Sequence, residues 1–106
     1  GDAPAVLRVA LEKGLRSSEL SQKVWPRAEC AVDFDSRVLG VSPRRTETHE
    51  FPLEGCTLHH SRIADGFLGI SSKPRDLQLL LRGPVQSVSQ LFQEILAATA
   101  GRPRPE

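Results

Sequence analysis

The sequence predicts a mainly β fold closed by one C-terminal α-helix, and three observations predict it. Val85, Val88, Leu91, Phe92, Ile95, Leu96 and Thr99 recur at spacings of three and four, which is one apolar face of a helix. Ala28, Cys30, Val32 and Phe34 alternate with Glu29, Ala31 and Asp33, the period-two pattern of a strand with one face buried. Everywhere else the apolar runs are short and bounded by Gly, Pro, Asp and Ser.

Taken in order, Leu7, Val9 and Leu11 alternate with Arg8 and Glu12, so residues 5–13 read as a strand. A helix opening at Asp2-Ala3-Pro4 is the alternative, and Gly14 favours the strand by cutting the run short. Residues 13–27 include a polar loop. The strand 28–34 is followed by a turn at Asp35-Ser36 and a β-branched run at Val38, Leu39 and Val41, which makes a hairpin. Residues 42–48, Ser-Pro-Arg-Arg-Thr-Glu-Thr, read as a polar loop. Phe51-Pro52-Leu53, a turn at Glu54-Gly55 and Cys56-Thr57-Leu58 come next, and Pro52, lacking an amide donor, belongs on an edge or at a bend. Phe67, Leu68 and Ile70 predict another strand, Ser71 to Arg75 a turn, and Leu77, Leu79 and Leu81 the last strand. The helix runs from Pro84 to about Ala100. Proline at the first helical position gives up only an amide with no intrahelical partner, and Gly101 and Pro103 end the run.

The 106 residues fit one core, because a second would leave each half too small to bury enough apolar surface. With 39% hydrophobic and 25% charged residues the chain has the composition of a folded domain. Fourteen Lys and Arg against thirteen Asp and Glu leave a formal charge of +1, so any anion site must be local, and nucleic acid is not an expected partner. Cys30 and Cys56 read as reduced core residues. No apolar run is long enough to span a bilayer and no leader pattern is present, so an intracellular, cytoplasmic setting is expected. The sequence has no Met, as in a domain cut from a longer protein.

Two stretches carry a family resemblance. Lys23-Val24-Trp25-Pro26-Arg27, leading into the strand 28–34, resembles the second-strand entry of pleckstrin homology domains. Phe51-Pro52-Leu53-Glu54-Gly55-Cys56-Thr57-Leu58 is similar to that family's passage from fourth to fifth strand. Strands first and one amphipathic helix last is also that family's order. The resemblance covers residues 5–101, with 1–4 as a disordered start and 102–106 as a tail or linker. It implies a barrel or sandwich of about seven antiparallel strands capped by the helix. Phe92 stands nearest the tryptophan that family members usually carry in that helix, and so becomes the expected plug.

The resemblance also implies two candidate sites. The first is a phosphoinositide site at the loop joining the first two strands, formed by Lys13, Arg16, Lys23 and Arg27 through charge-assisted hydrogen bonds. Glu12 and Glu19 oppose it, and this family's tight basic cluster is missing; the same cations read equally as solvated surface. The second follows the related phosphotyrosine-binding branch, in which a peptide pairs with the fifth strand against the helix. Here the groove would be Gly55, Thr57 and His59 with the outer helix face Ser87, Gln90 and Glu94. Arg44, Arg45, Arg62, Lys73 and Arg75 are a second basic set, open to acidic lipid or RNA, although Trp25 and Phe67, the nearby candidates for base stacking, fit packing better.

Chemistry is not expected. Zinc at His49, Cys56, His59 and His60 is not expected, because in a strand over 56–60 Cys56 and His59 point to opposite faces. No nucleophile elbow, phosphate loop or zinc-protease motif occurs. The expected function is therefore a non-enzymatic module for contact with another protein or peptide, without cofactor, inside a larger scaffold or signalling protein. Recruitment to anionic phospholipid is the alternative, and packing against its own parent chain is a third reading.

Overall fold

In the computed structural model, which describes residues 7–13, 25–74 and 77–104, the alternating runs become strands of one antiparallel ladder. The elements are β1 (Leu7–Lys13), β2 (Trp25–Asp33), β3 (Val38–Arg44), β4 (Glu47–Pro52), β5 (Thr57–His59), a 3-10 turn (Ile63–Asp65), β6 (Phe67–Ser72), β7 (Leu77–Arg82) and α1 (Val85–Thr99). Their order across the sheet is β4-β3-β2-β1-β7-β6-β5. The N-terminal run is thus a strand, held between Cys30 to Trp25 of β2 and Arg82 to Leu80 of β7.

The expected barrel does not close. β4 and β5 are the two ends of the order and pair with no further strand among the described residues. Physical causes are visible at both. β5 is three residues long, and β4 finishes on Pro52, whose nitrogen has no hydrogen to donate.

Period two delivers the core. Ala28, Cys30 and Val32 of β2, Leu39 and Val41 of β3, Leu68 and Ile70 of β6, and Leu79 and Leu81 of β7 are all buried in one cluster with Val88, Leu91, Ile95 and Ala98 of α1. Burial pushes the Cys30 thiol up to about 12, so it stays protonated and inert. Cys56 is likewise outside any disulfide but only half-buried, its Sγ donating to the Pro52 carbonyl at 3.2 Å.

Three local readings need correction. Residues 42–48 are not a loop: β3 continues to Arg44, β4 begins at Glu47, and only Arg45-Thr46 turns. Polar residues extend this hairpin because the backbone ladder holds it, aided by a 2.8 Å Ser42–Thr48 hydroxyl bond. A register shift between Val41 and Arg44 accommodates Pro43. Likewise Ser71 and Ser72 finish β6, leaving the turn to begin at Lys73-Pro74. Pro84 is the N-cap of α1 rather than its first helical residue, a displacement of one position.

The turn from β2 to β3 shows how sequence chemistry sets geometry. Asp33 Oδ1 accepts the amides of Asp35 at 2.9 Å and Ser36 at 3.1 Å, and Arg37 takes the left-handed conformation at φ 54°. The Ser36 amide holds the Asp33 carboxyl below its ordinary value of 3.8. A depressed carboxylate stabilises the fold above the unfolded-state value, and that contribution disappears as pH falls through the folded-state value. Asp33→Ala should therefore lower the melting temperature at neutral pH, with the gap to the parent protein shrinking in melts run below about pH 4.

The sheet and helix meet at two glycines. Gly66, at φ 83°, ends the 3-10 turn with its amide on Ile63, and its carbonyl accepts the Gly83 amide at 3.0 Å. This ties the entry of β6 to the junction between β7 and α1. At the other end of α1, Arg102 N–H bonds Ala97 O at 2.8 Å, and the Arg104 guanidinium lies 5.1 Å from the Phe34 ring centroid.

Candidate functional site

The expectation that α1 has one buried apolar face is only half met. Val88, Leu91 and Ile95 face the core, whereas Val85 and Leu96 are 46% and 40% exposed. With 3.6 residues per turn, roughly 100° each, positions 85, 89, 92 and 96 form a second stripe. Phe92 in this stripe is half-buried, so Leu91 and Ile95 act as the plug and Phe92 sits at its margin.

This second stripe adjoins the end of β5. Thr57 and His59 are exposed and Leu58 is half-buried, as alternation along β5 requires. His60, directly after β5, places its ring centroid 4.9 Å from that of Phe92. His59 stands opposite Gly69, and its Nε2 lies 2.8 Å from Ser71 Oγ. A side chain at position 69 would crowd the imidazole, since a Cβ there would lie 3.1 Å from the His59 Cβ.

Of the six residues expected to form the groove, Gly55, Thr57 and His59 lie exposed at or just before β5. The three helical ones do not face them. Glu94 is 2% exposed, Ser87 is half-buried, and Gln90 donates to Glu94 Oε2 at 3.1 Å. Glu94 Oε1 has no hydrogen-bond partner. Positions 87, 90 and 94 lie roughly 140–200° around the helix from Phe92, which sits against His60. The helix side that meets the residue after β5, through Phe92, is instead the one that Phe92 shares with Val85, Ser89 and Leu96. Helical spacing sets Glu94 on one side with Ser87 and Gln90, and a charged residue in polar company reads as solvated, hence its expected place on the outer face; the exposure of Leu96 has no counterpart signal in the spacing.

The basic residues regroup as well. Leu11 stands opposite Trp25, Glu29 opposite Ser42 and Arg44 opposite Glu47, so Lys13, Arg27 and the Arg44-Arg45 corner share one end of the sheet. Lys13 also stands opposite Leu80, placing the Lys73 turn, which precedes β7, at that same end. Arg16 and Lys23 lie outside the described residues, as does Arg75. Arg62 goes elsewhere. It sits at the opposite end, 4.7 Å from the Phe67 ring centroid and 3.6 Å from Asp65. Among the described residues no group of three or more His, Cys, Asp or Glu side chains is placed to hold a metal ion. No helix among them is long and apolar enough to cross a membrane.

Comparison with known proteins identifies the architecture. No protein-family model and no curated protein matches the sequence. Among solved structures, the chain is similar to the solution structure of the PH domain of human TBC1 domain family member 2 protein, with a TM-score of 0.68 and 10% identity. The match covers 94% of this chain and 83% of that one. The fold is therefore a divergent pleckstrin-homology-like one.

Proposed function

We propose that this pleckstrin-homology-like domain is a non-enzymatic interaction module of a larger scaffold or signalling protein, which captures an extended segment of another protein between β5 and α1. One observation carries the reading. Val85 and Leu96, the large hydrophobic side chains left exposed among the described residues, lie on the helix stripe that meets the end of an edge strand. An edge strand supplies backbone donors and acceptors, and an apolar wall beside it supplies side-chain burial; together these are the requirements of strand addition. In a peptide-display selection against the intact chain, Leu96→Asp should reduce capture of the enriched peptides at least tenfold. Its melting temperature should stay within about 2 °C of the parent, because an exposed position contributes little to stability. Capture unchanged by Leu96→Asp, or lost only with unfolding, would defeat this reading.

A second reading has its own support in the convergence of cations at one end of the sheet. There Lys13, Arg16, Lys23 and Arg27, expected around the first strand connection, would be joined by Arg44, Arg45 and Lys73. Such a surface would recruit the domain to the periphery of a phosphoinositide-bearing cytoplasmic membrane. Sedimentation with mixed phosphoinositide liposomes should show binding that Lys23→Ala, Arg27→Ala and Arg44→Ala each weaken. Absence of binding at low salt would remove the lipid role.

A further inference from the structure

We infer that Gly69 and Ser71 of β6 are positioning residues for peptide capture: they hold the His59 imidazole back over β6 and so keep the free edge of β5 open to an incoming segment. The inference rests on the peptide-capture reading above. A segment added to β5 needs the backbone donors and acceptors of a three-residue edge unobstructed, so one bulky side chain folded across that edge would block it. Among the described residues β5 pairs with β6 alone, which puts β6 on one side of it and the free edge on the other. Exposed His59 is the bulky side chain on the outward face of β5, because Thr57 is small and Leu58 takes the other face.

The geometry turns His59 away from that edge. Its Nε2 lies 2.8 Å from Ser71 Oγ, and Ser71 stands two residues along β6 from Gly69, the residue directly opposite His59. This diagonal hydrogen bond draws the imidazole across β6. Gly69 makes room for it: a Cβ there would stand 3.1 Å from the His59 Cβ, 3.5 Å from Cδ2 and 3.6 Å from Cγ. An aromatic ring laid over a cross-strand glycine also covers backbone that the glycine leaves bare. His60 is drawn aside as well, toward α1, where its ring centroid lies 4.9 Å from that of Phe92. Both imidazoles at the end of β5 thus have partners away from the free edge. A cross-strand pair that only stabilised the β5–β6 hairpin would have the same geometry, and the two roles part in what they do to binding.

The test measures the affinity of a display-selected peptide for the intact chain, for Ser71→Ala, for His59→Ala and for the double variant. Ser71→Ala removes the partner of the imidazole without adding bulk and lets the ring swing over the edge. It should weaken the peptide about fivefold, because the apparent dissociation constant rises as the fraction of molecules with an open edge falls. The melting temperature should stay within about 2 °C of the parent, since the lost bond is an exposed one. With His59→Ala already in place there is no ring to release, and the same Ser71→Ala step should change affinity less than about twofold. Gly69→Ala, whose Cβ crowds the imidazole, should weaken the peptide at least as much as Ser71→Ala does. Unchanged affinity in Ser71→Ala or Gly69→Ala, a Ser71→Ala loss of equal size with and without His59, or a loss that tracks a fall in melting temperature would overturn this inference and leave peptide capture standing. No enriched peptide, or enrichment indifferent to Leu96→Asp, would overturn both.

Discussion

Gly66→Ala is expected to cost about 3 kcal/mol of unfolding free energy or more. Two effects add. Holding a side chain in the left-handed region costs about 1–3 kcal/mol, and Gly66 has φ 83°. A Cβ at this position would also overlap the Gly83 carbonyl oxygen, a backbone atom that cannot rotate away. Relief requires the start of β6 to part from the β7–α1 junction, breaking the Gly83 to Gly66 hydrogen bond. Gly55→Ala separates the two contributions. Gly55 has φ 75°, yet a Cβ there would meet nothing within 4 Å, so its loss should be about 1 kcal/mol. Urea midpoints at constant m-value measure both; equal losses would place the cost of Gly66→Ala in conformation alone.

Leu91→Ala is expected to destabilise the protein by about 2–5 kcal/mol, whereas Leu96→Ala should change stability by less than about 0.5 kcal/mol. Leu91 is fully buried among the inward residues of β2, β3, β6 and β7, and truncating it leaves a cavity that rigid strands fill poorly. Leu96 already meets solvent over 40% of its surface. The contrast is large because the two leucines sit on different sides of one helix, and denaturant unfolding of the pair reads it directly.

The same two residues show how far the sequence can be read. Apolar spacing of three and four places both Leu91 and Leu96 on a helix, and α1 is where the spacing puts it. Which stripe of a broad apolar face meets the sheet depends on how the helix is rotated, and that is set by distant strands such as β6, which holds Leu68 and Ile70. Strands with clean alternation, β2 above all, were legible. β3 beyond Val41 and the first residues of β4 were not, since polar side chains hide a ladder held by backbone bonds. Closure is not legible in the sequence, because pairing at sheet edges depends on strand lengths and prolines, Pro52 and the short β5 among them. Basic residues could be counted from sequence but not sorted. Only register brings Arg44 and Arg45 to the Lys13 end and sends Arg62 to the other.

Acidic Glu94 illustrates the converse. Polarity alone puts it in water, yet it is buried with one oxygen on Gln90, and the groove wall it was expected to form belongs to Val85, Phe92 and Leu96. The functional proposal thus moves to a different side of the helix while keeping the same strand.

Backbone amide chemical-shift mapping during titration of the labelled domain with a display-selected peptide tests the central claim most directly. Peptide capture between β5 and α1 predicts shifts concentrated at Thr57, Leu58, His59 and His60 and along Val85, Ser89, Phe92 and Leu96. Shifts confined to Arg44, Arg45 and Lys73, at the Lys13 end of the sheet, would contradict it.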